Sequence, residues 1–333
     1  MICEIIFSQQ PFSILYSTKH GLPSNEVYVA YQDRQGFIWV GTDRGVSRFD
    51  GYSFKNFAIE DGLNKLEINI IKEDNEGQLW FSSYFGEVFY KEKEVFVPYT
   101  YNHLLKEYVK QGLLTLTKID KKGTFYFNNQ FDGTLSIDAK GNQKMIKPKC
   151  NTCYYLIEEG NNIYSGRYHL SKQKNKIPLL FTKNGKEKKL DMLKSGSKNE
   201  SIRIGNTIIV ALENKIYEIL NGIIINSKNL GDRAVNNLIY ISGDLFVSTS
   251  KGIDVYRDFI KKGLNGNKES WFQDQIISAV FADKDKGLWI SSASHGLIYI
   301  PNPGIPVFLK NINIYDIASM NNDLLTISKY GIM

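Results

Sequence analysis

Apolar and polar residues alternate along this chain over short stretches, and no stretch holds an apolar 3.6-residue period over a dozen positions. Val27-Tyr-Val-Ala-Tyr-Gln-Asp33 alternates and is rich in β-branched and aromatic residues. A glycine-bearing turn follows, then short runs over Phe37–Gly41, Gly45–Phe49 and Ser53–Ala58. Period-two runs bounded by Gly, Asp and Ser predict antiparallel strands joined by tight turns.

The same pattern returns along the sequence. Asp33-Arg-Gln-Gly-Phe-Ile-Trp-Val-Gly-Thr-Asp-Arg-Gly45 aligns without a gap on Asp74-Asn-Glu-Gly-Gln-Leu-Trp-Phe-Ser-Ser-Tyr-Phe-Gly86, 41 residues later. Further copies begin at Asp120 and, more weakly, at Glu159 and Gly205, then strengthen at Ser242–Gly252 and Asp285–Gly296, with an eighth opening at Asn321. A period near 40 residues built from four short strands is the mark of a β-propeller blade. The expectation is an all-β, seven-bladed β-propeller of four-stranded antiparallel blades over residues 11–303. Residues 304–333 would then start an eighth unit, the incomplete first blade of a second propeller. The segment 12–17 is an orphan outer strand expected to complete the last blade and close the ring. An eight-bladed ring is the alternative.

The recurring residues have mechanical explanations. Asp33, Asp74 and Asp120 open a tight turn in which a carboxylate accepts local backbone N–H groups, and Gly36, Gly77 and Gly123 supply positive φ. Trp39, Trp80 and Trp289 fill space between neighbouring blades, with Tyr126, Tyr164 and Phe246 in their place elsewhere. Gly45, Gly86, Gly133, Gly252 and Gly296 mark the next hairpin.

Composition narrows the function. Hydrophobic residues at 42% and aromatic at 13% of 333 residues suffice for a sizeable core. The net charge of +6 comes from a Lys-heavy set with Arg only at 34, 44, 48, 167, 203, 233 and 257, a poor composition for phosphate reading, so no nucleic-acid partner is expected. The longest apolar runs, such as Ile204–Leu212, fall far short of the ~20 residues of a membrane helix. Residues 1–10 lack a positively charged start and read as the remnant of an export signal at most. Cys150-Asn-Thr-Cys153 has metal-knuckle spacing without a second pair, and His20, His103, His169 and His295 are dispersed, so neither metal nor cofactor is expected. The two cysteines read as ordinary thiols, with a small disulfide loop as the alternative in an oxidising compartment.

In these residues the chain resembles the two-component regulator propeller repeats of sensor ectodomains, found chiefly in Bacteroidetes histidine kinases and hybrid two-component regulators. Val27–Phe49 follows the family's repeat almost throughout, and His20-Gly-Leu-Pro-Ser-Asn25 and Asp61-Gly-Leu63 match its lead-in. The resemblance implies a periplasmic sensor in signal transduction by phosphorelay, anchored in a membrane and able to dimerise as a full-length receptor. It also implies the rest of a second propeller, a membrane segment and an output domain, so the chain reads as a truncated receptor.

Propellers bind at the face where the second-to-third-strand loops meet. The candidate ligand-binding residues are Asp43, Arg44, Tyr84, Phe85, Gln130, Arg167, Tyr168, His169, Glu213, Asn214, Lys251 and His295. Aromatic rings beside amides and charges suit a polar small molecule with apolar faces, such as an oligosaccharide. A protein-docking platform is the alternative. A lyase or hydrolase, with Glu213, His169 and His295 as the nominees, is the weaker one; no catalytic residue is assigned and the chain is expected not to be an enzyme.

Overall fold

The structure is a computed structural model and describes residues 11–109, 114–129, 133–146, 153–159, 162–167, 177–183, 186–193, 199–212, 214–220, 223–303, 314–320, 323–328 and 331–332. After β1 (Ile14–Tyr16) come β2 (Val27–Gln32), β3 (Ile38–Thr42), β4 (Gly45–Phe49) and β5 (Phe54–Phe57), an antiparallel meander. The next meander is β6 (Ile68–Glu73), β7 (Leu79–Ser83), β8 (Val88–Glu92) and β9 (Val95–Pro98). Helix α1 (Asn102–Val109) leads to β10 (Leu114–Ile119), β11 (Phe125–Asn129), β12 (Gly133–Ile137) and β13 (Gln143–Ile146). Two hairpins follow: β14 (Cys153–Glu159) with β15 (Asn162–Arg167), and β16 (Ile177–Lys183) with β17 (Lys186–Leu193).

Four-stranded sheets resume with β18 (Asn199–Ile204), β19 (Thr207–Leu212), β20 (Lys215–Leu220) and β21 (Ile223–Asn229). β22 (Val235–Ile241), β23 (Asp244–Thr249), β24 (Gly252–Tyr256) and β25 (Lys268–Trp271) form another, with α2 (Phe259–Lys262) before its last strand. β26 (Ile277–Ala282), β27 (Leu288–Ser292) and β28 (Gly296–Ile300) take β1 as their fourth strand, and β29 (Ile314–Met320), β30 (Asp323–Ser328) and β31 (Gly331–Ile332) make a three-stranded sheet.

The fold is therefore an all-β propeller, but the expected count needs correction. Among the described residues there are six four-stranded antiparallel blades, not seven with the start of an eighth. Among the described residues the weak repeat around Glu159 forms two separate two-stranded sheets. Its turn lacks the Asp and its strands lack the Trp that organise the strong units, and β17 alternates charge (Lys186-Glu-Lys-Lys-Leu-Asp) where a blade needs apolar residues. The last three strands stand as a sheet of three.

Two local devices shape the strong blades. In each, one oxygen of the turn Asp accepts a backbone N–H four residues on: Asp33 from Phe37 (3.0 Å), Asp74 from Gln78 (2.9 Å), Asp120 from Thr124 (3.0 Å) and Asp283 from Gly287 (2.8 Å). The other oxygen accepts the aromatic donor six residues on, from Trp39 (2.7 Å), Trp80 (2.8 Å), Tyr126 (3.1 Å) and Trp289 (2.9 Å). The second device is the hairpin glycine. A Cβ on Gly45 would lie 2.3 Å from the Phe57 carbonyl oxygen, and one on Gly252 2.5 Å from that of Trp271, so the outer strand packs directly on the glycine backbone.

Gly296 stands in the same relation to the Tyr16 carbonyl oxygen, at 2.2 Å, which places β1 where an outer strand belongs. Its register with β28 is Ile14↔Tyr299, Leu15↔Ile298 and Tyr16↔Leu297. Apolar side chains pack between adjacent sheets rather than in one central core. One such layer joins Trp39, Phe57, Phe81, Phe89 and Phe96, and another joins Val27, Val40, Phe49, Trp289 and Leu297 across the seam between the chain's first and last blades.

Candidate functional site

In an antiparallel meander successive connections fall at alternate ends of the sheet, so a blade presents two different faces. The β3–β4 and β7–β8 turns, with the segments entering each following blade, make a loop face. The β2–β3, β6–β7 and β8–β9 turns lie on the opposite, turn face.

On the loop face the turns are bonded to the incoming segments. Asp43 N–H donates to the Glu26 carbonyl (3.4 Å), Gly45 N–H to that of Leu66 (3.0 Å) and Tyr84 N–H to that of Glu67 (3.2 Å). These bonds hold Asp43 and Tyr84 beside side chains of the innermost strands. The Tyr28 hydroxyl donates to Glu26 Oε1 (2.8 Å), and the Tyr28 and Tyr84 rings meet edge to face with centroids 5.2 Å apart.

The cluster is acidic and acceptor-rich. Burial, then the bond to Glu26 and the charges of Glu26 and Asp43, push the Tyr28 hydroxyl well above the usual tyrosine range. Burial and Glu26 also raise that of Tyr84, opposed by a hydrogen bond from Asn69. Asp43 Oδ1 and Asn69 Oδ1 are buried without a hydrogen-bond partner. Buried acceptors left without donors cost free energy, on the order of 1–3 kcal/mol each, which an arriving hydroxyl or N–H donor would recover.

The sequence-predicted residues are distributed unevenly. Asp43 and Tyr84 share this cluster, while Arg44 and Phe85 project outward beside it, Phe85 with the Lys65 ammonium 5.3 Å from its ring centre. Three others already have partners: Asn214 donates to the Gly231 carbonyl and Lys251 pairs with Asp232 (2.5 Å), both partners lying in the segment that enters β22, and His295 contacts Ser294 Oγ through Nδ1 within its own turn (2.7 Å). Gln130, Tyr168, His169 and Glu213 lie outside the described residues, as does Cys150; Arg167 ends β15 and Cys153 begins β14, and their side chains are also outside the description. Among the described residues no three His, Cys, Asp or Glu side chains gather as a metal-ligand set.

Sequence reasoning missed Glu26, Tyr28 and Asn69. Tyr28 and Asn69 are bulge residues, because the pairing of β2 with β3 shifts between Val27 and Val29, and that of β6 with β7 between Ile68 and Ile70. The shift recurs at Asn236 and Ser278 in β22 and β26. A β-bulge re-aims a side chain at the end of a strand, so these blades each offer a polar residue at the same place. A signal for it existed: Tyr28, Asn69 and Ser278 all stand eleven residues before the blade tryptophan.

Comparison with known proteins agrees with this architecture. The family model described as "Two component regulator propeller" matches residues 21–44. No curated protein sequence matches the chain. Among solved structures, the fold is similar to the extracellular domain assigned to the hybrid two component system BT3049 from B. thetaiotaomicron. The TM-score is 0.69 at 17% identity, over 95% of this chain and 46% of that one. It is also similar to the extracellular domain assigned to the one component system BT4673 of the same organism (TM-score 0.60, 18% identity, 96% of this chain and 45% of that one). PorZ of Porphyromonas gingivalis, described as a surface component of the type-IX secretion system, gives a TM-score of 0.61 at 11% identity over 94% of this chain and 52% of that one. The chain thus spans about half the length of these proteins.

Proposed function

We propose that the chain is a ligand-sensing, non-catalytic propeller module of an extracytoplasmic signal-transduction receptor, and that it takes a glycan or another polar small molecule on the loop face. The observation that carries the reading is the cluster of Tyr28 and Tyr84 with two buried, donor-less acceptors, Asp43 Oδ1 and Asn69 Oδ1. Tyrosine rings supply apolar faces for a sugar and the acceptors await its hydroxyl groups. The likeness in fold to extracellular domains of one- and two-component systems supports the sensing role and the location outside the cytoplasm.

Signalling of this kind requires that the ligand bind two receptor states with different affinity, since a ligand indifferent to the two states shifts nothing. In a longer receptor, the occupied loop face would change packing against a neighbouring domain or a dimer mate.

The test is a thermal-shift screen of neutral mono- and oligosaccharides against the chain, repeated on Tyr84→Ala and Asp43→Ala. A saccharide that raises the melting temperature of the wild type and of neither variant supports the reading. A saccharide whose stabilisation survives both substitutions overturns the site, and a screen in which none stabilises the wild type overturns the glycan as its ligand.

A further inference from the structure

On the turn face, a cleft of about 520 Å³ opens between the first two blades, lined by residues of the β2–β3, β6–β7 and β8–β9 turns. Its volume lies within the roughly 300–1,000 Å³ range of small-molecule sites. Four basic and four acidic residues line it (Arg34, Arg48, Lys91 and Lys93; Asp33, Glu73, Glu76 and Glu94), so formal charge alone does not set its character. Hydrogen bonding does.

Most of the acids and one of the cations are already engaged. Asp33 accepts from Trp39 and the Phe37 N–H. Glu73 accepts from Tyr31 (3.3 Å) and faces Arg34 (3.5 Å), which donates to the carbonyls of Asp74 (2.8 Å) and Asn75 (3.0 Å). Glu94 takes the Lys55 ammonium at 2.6 Å.

Arg48 and Lys91 differ from these. Each approaches only Glu94 Oε1, at 3.9 Å, beyond hydrogen-bond length. Three cations thus converge on one carboxylate that is bonded to the third. The Lys91 side chain is only 8% exposed, and its ammonium has ring contacts where an anion would be expected, 5.7 Å from the Trp39 centre and 5.1 Å from that of Phe57. The Arg48 guanidinium lies over Phe37 at 4.7 Å and 5.8 Å from Trp39. Burial lowers the Lys91 pKa, with Arg48 adding to that and Glu94 opposing it. The Lys91 stem is buried while its ammonium meets the cleft without a hydrogen-bonded anion, so an arriving oxyanion would gain a charge-assisted bond there.

We infer that this cleft is a second binding site, for a small anionic ligand whose carboxylate, sulfate or phosphate group bridges Arg48 and Lys91. An oxyanion there completes two sets of donors that Glu94 leaves unfilled, and the planar guanidinium suits a two-point contact. The inference does not rest on the loop-face reading, because the two sites lie on opposite faces of the same blades.

Titration calorimetry with glucuronate, glucose 6-sulfate, glucose 6-phosphate and glucose tests it on the whole chain. At least one charged sugar is expected to bind at least tenfold more tightly than glucose, and which anion is preferred identifies the group. Lys91→Met keeps the buried stem and removes the charge, and Arg48→Gln changes the more exposed partner; each should weaken that binding about tenfold or more, while Tyr84→Ala leaves it unchanged. Melting curves identify a variant that does not fold, and the other then decides. Equal binding of glucose and all three anions, absence of anion binding to the wild type, or full binding by a folded variant overturns the proposal.

Discussion

Asp33 Oδ2 accepts a 2.7 Å hydrogen bond from Trp39 Nε1, and its other oxygen accepts the Phe37 N–H, so one carboxylate ties a turn to the buried aromatic of the next strand. Because Asp74–Trp80, Asp120–Tyr126 and Asp283–Trp289 repeat the arrangement, it sets the spacing of the sequence repeat. The six-residue interval is the distance, through one tight turn, from the carboxylate to the ring it holds.

Replacing Asp33 by Ala strands the indole N–H of a residue only 2% exposed. A destabilisation of about 2 kcal/mol is expected by denaturant unfolding. Trp39→Phe removes the donor, so in Trp39→Phe the same Asp33→Ala change should cost markedly less. An additive double-mutant cycle would show that the bond contributes nothing.

Gly296 and Gly51 have nearly the same backbone angle, φ +95 and +102, but opposite surroundings. A Cβ on Gly296 meets the Tyr16 carbonyl at 2.2 Å, whereas one on Gly51 meets nothing within 4 Å. Gly51→Ala should cost only the backbone term, on the order of 1 kcal/mol. Gly296→Ala should cost well above that and also expose β1 to rapid hydrogen exchange, since the clash is with the strand that closes the ring.

Asp254 is buried on β24, and burial pushes its carboxyl up, yet Arg233 (2.7 Å), Lys268 (3.0 Å) and Ser270 (2.8 Å) outweigh this and hold it below the usual range. A carboxyl depressed by folding stabilises the native state above its unfolded pKa of about 3.9, and that stabilisation is lost as pH falls through the lower folded value. Asp254→Asn should therefore destabilise the protein by about 2–3 kcal/mol at pH 7, since the partly exposed cations can find water. The gap to wild type should narrow below pH 4. A gap constant from pH 7 to pH 3 would refute the assignment.

Lys284 fastens the last four-stranded blade to the first: its Nζ donates to the carbonyls of Asp33 (2.9 Å) and Arg34 (2.8 Å), and its N–H to Gln32 Oε1 (2.8 Å). Lys284→Met should raise amide exchange in the turn of residues 33–36 without altering exchange in the equivalent turn at 74–77, which Arg34 fastens. Uniform acceleration across both turns would point to global loss of stability instead.

The strands, their turns and the all-β class were legible in the chain because they rest on local chemistry: side-chain period, Asp and Gly at turn positions, and an aromatic at fixed distance from its carboxylate. The number of four-stranded blades was not. Whether β15 joins β16 in one sheet depends on main-chain pairing across a long connection, and a weak repeat carries no information about that pairing. The loop-face cluster was half visible, through Asp43 and Tyr84. Their partners, Tyr28 and Asn69, emerge only because each sits at a bulge that brings it to Tyr84, Tyr28 from the neighbouring blade and Asn69 within its own. Arg48 and Lys91, 43 residues apart, stand in no motif. They meet because sheet packs on sheet with Trp39 in contact with both, and the relative rotation of packed sheets is decided by the whole interface rather than by any segment of sequence.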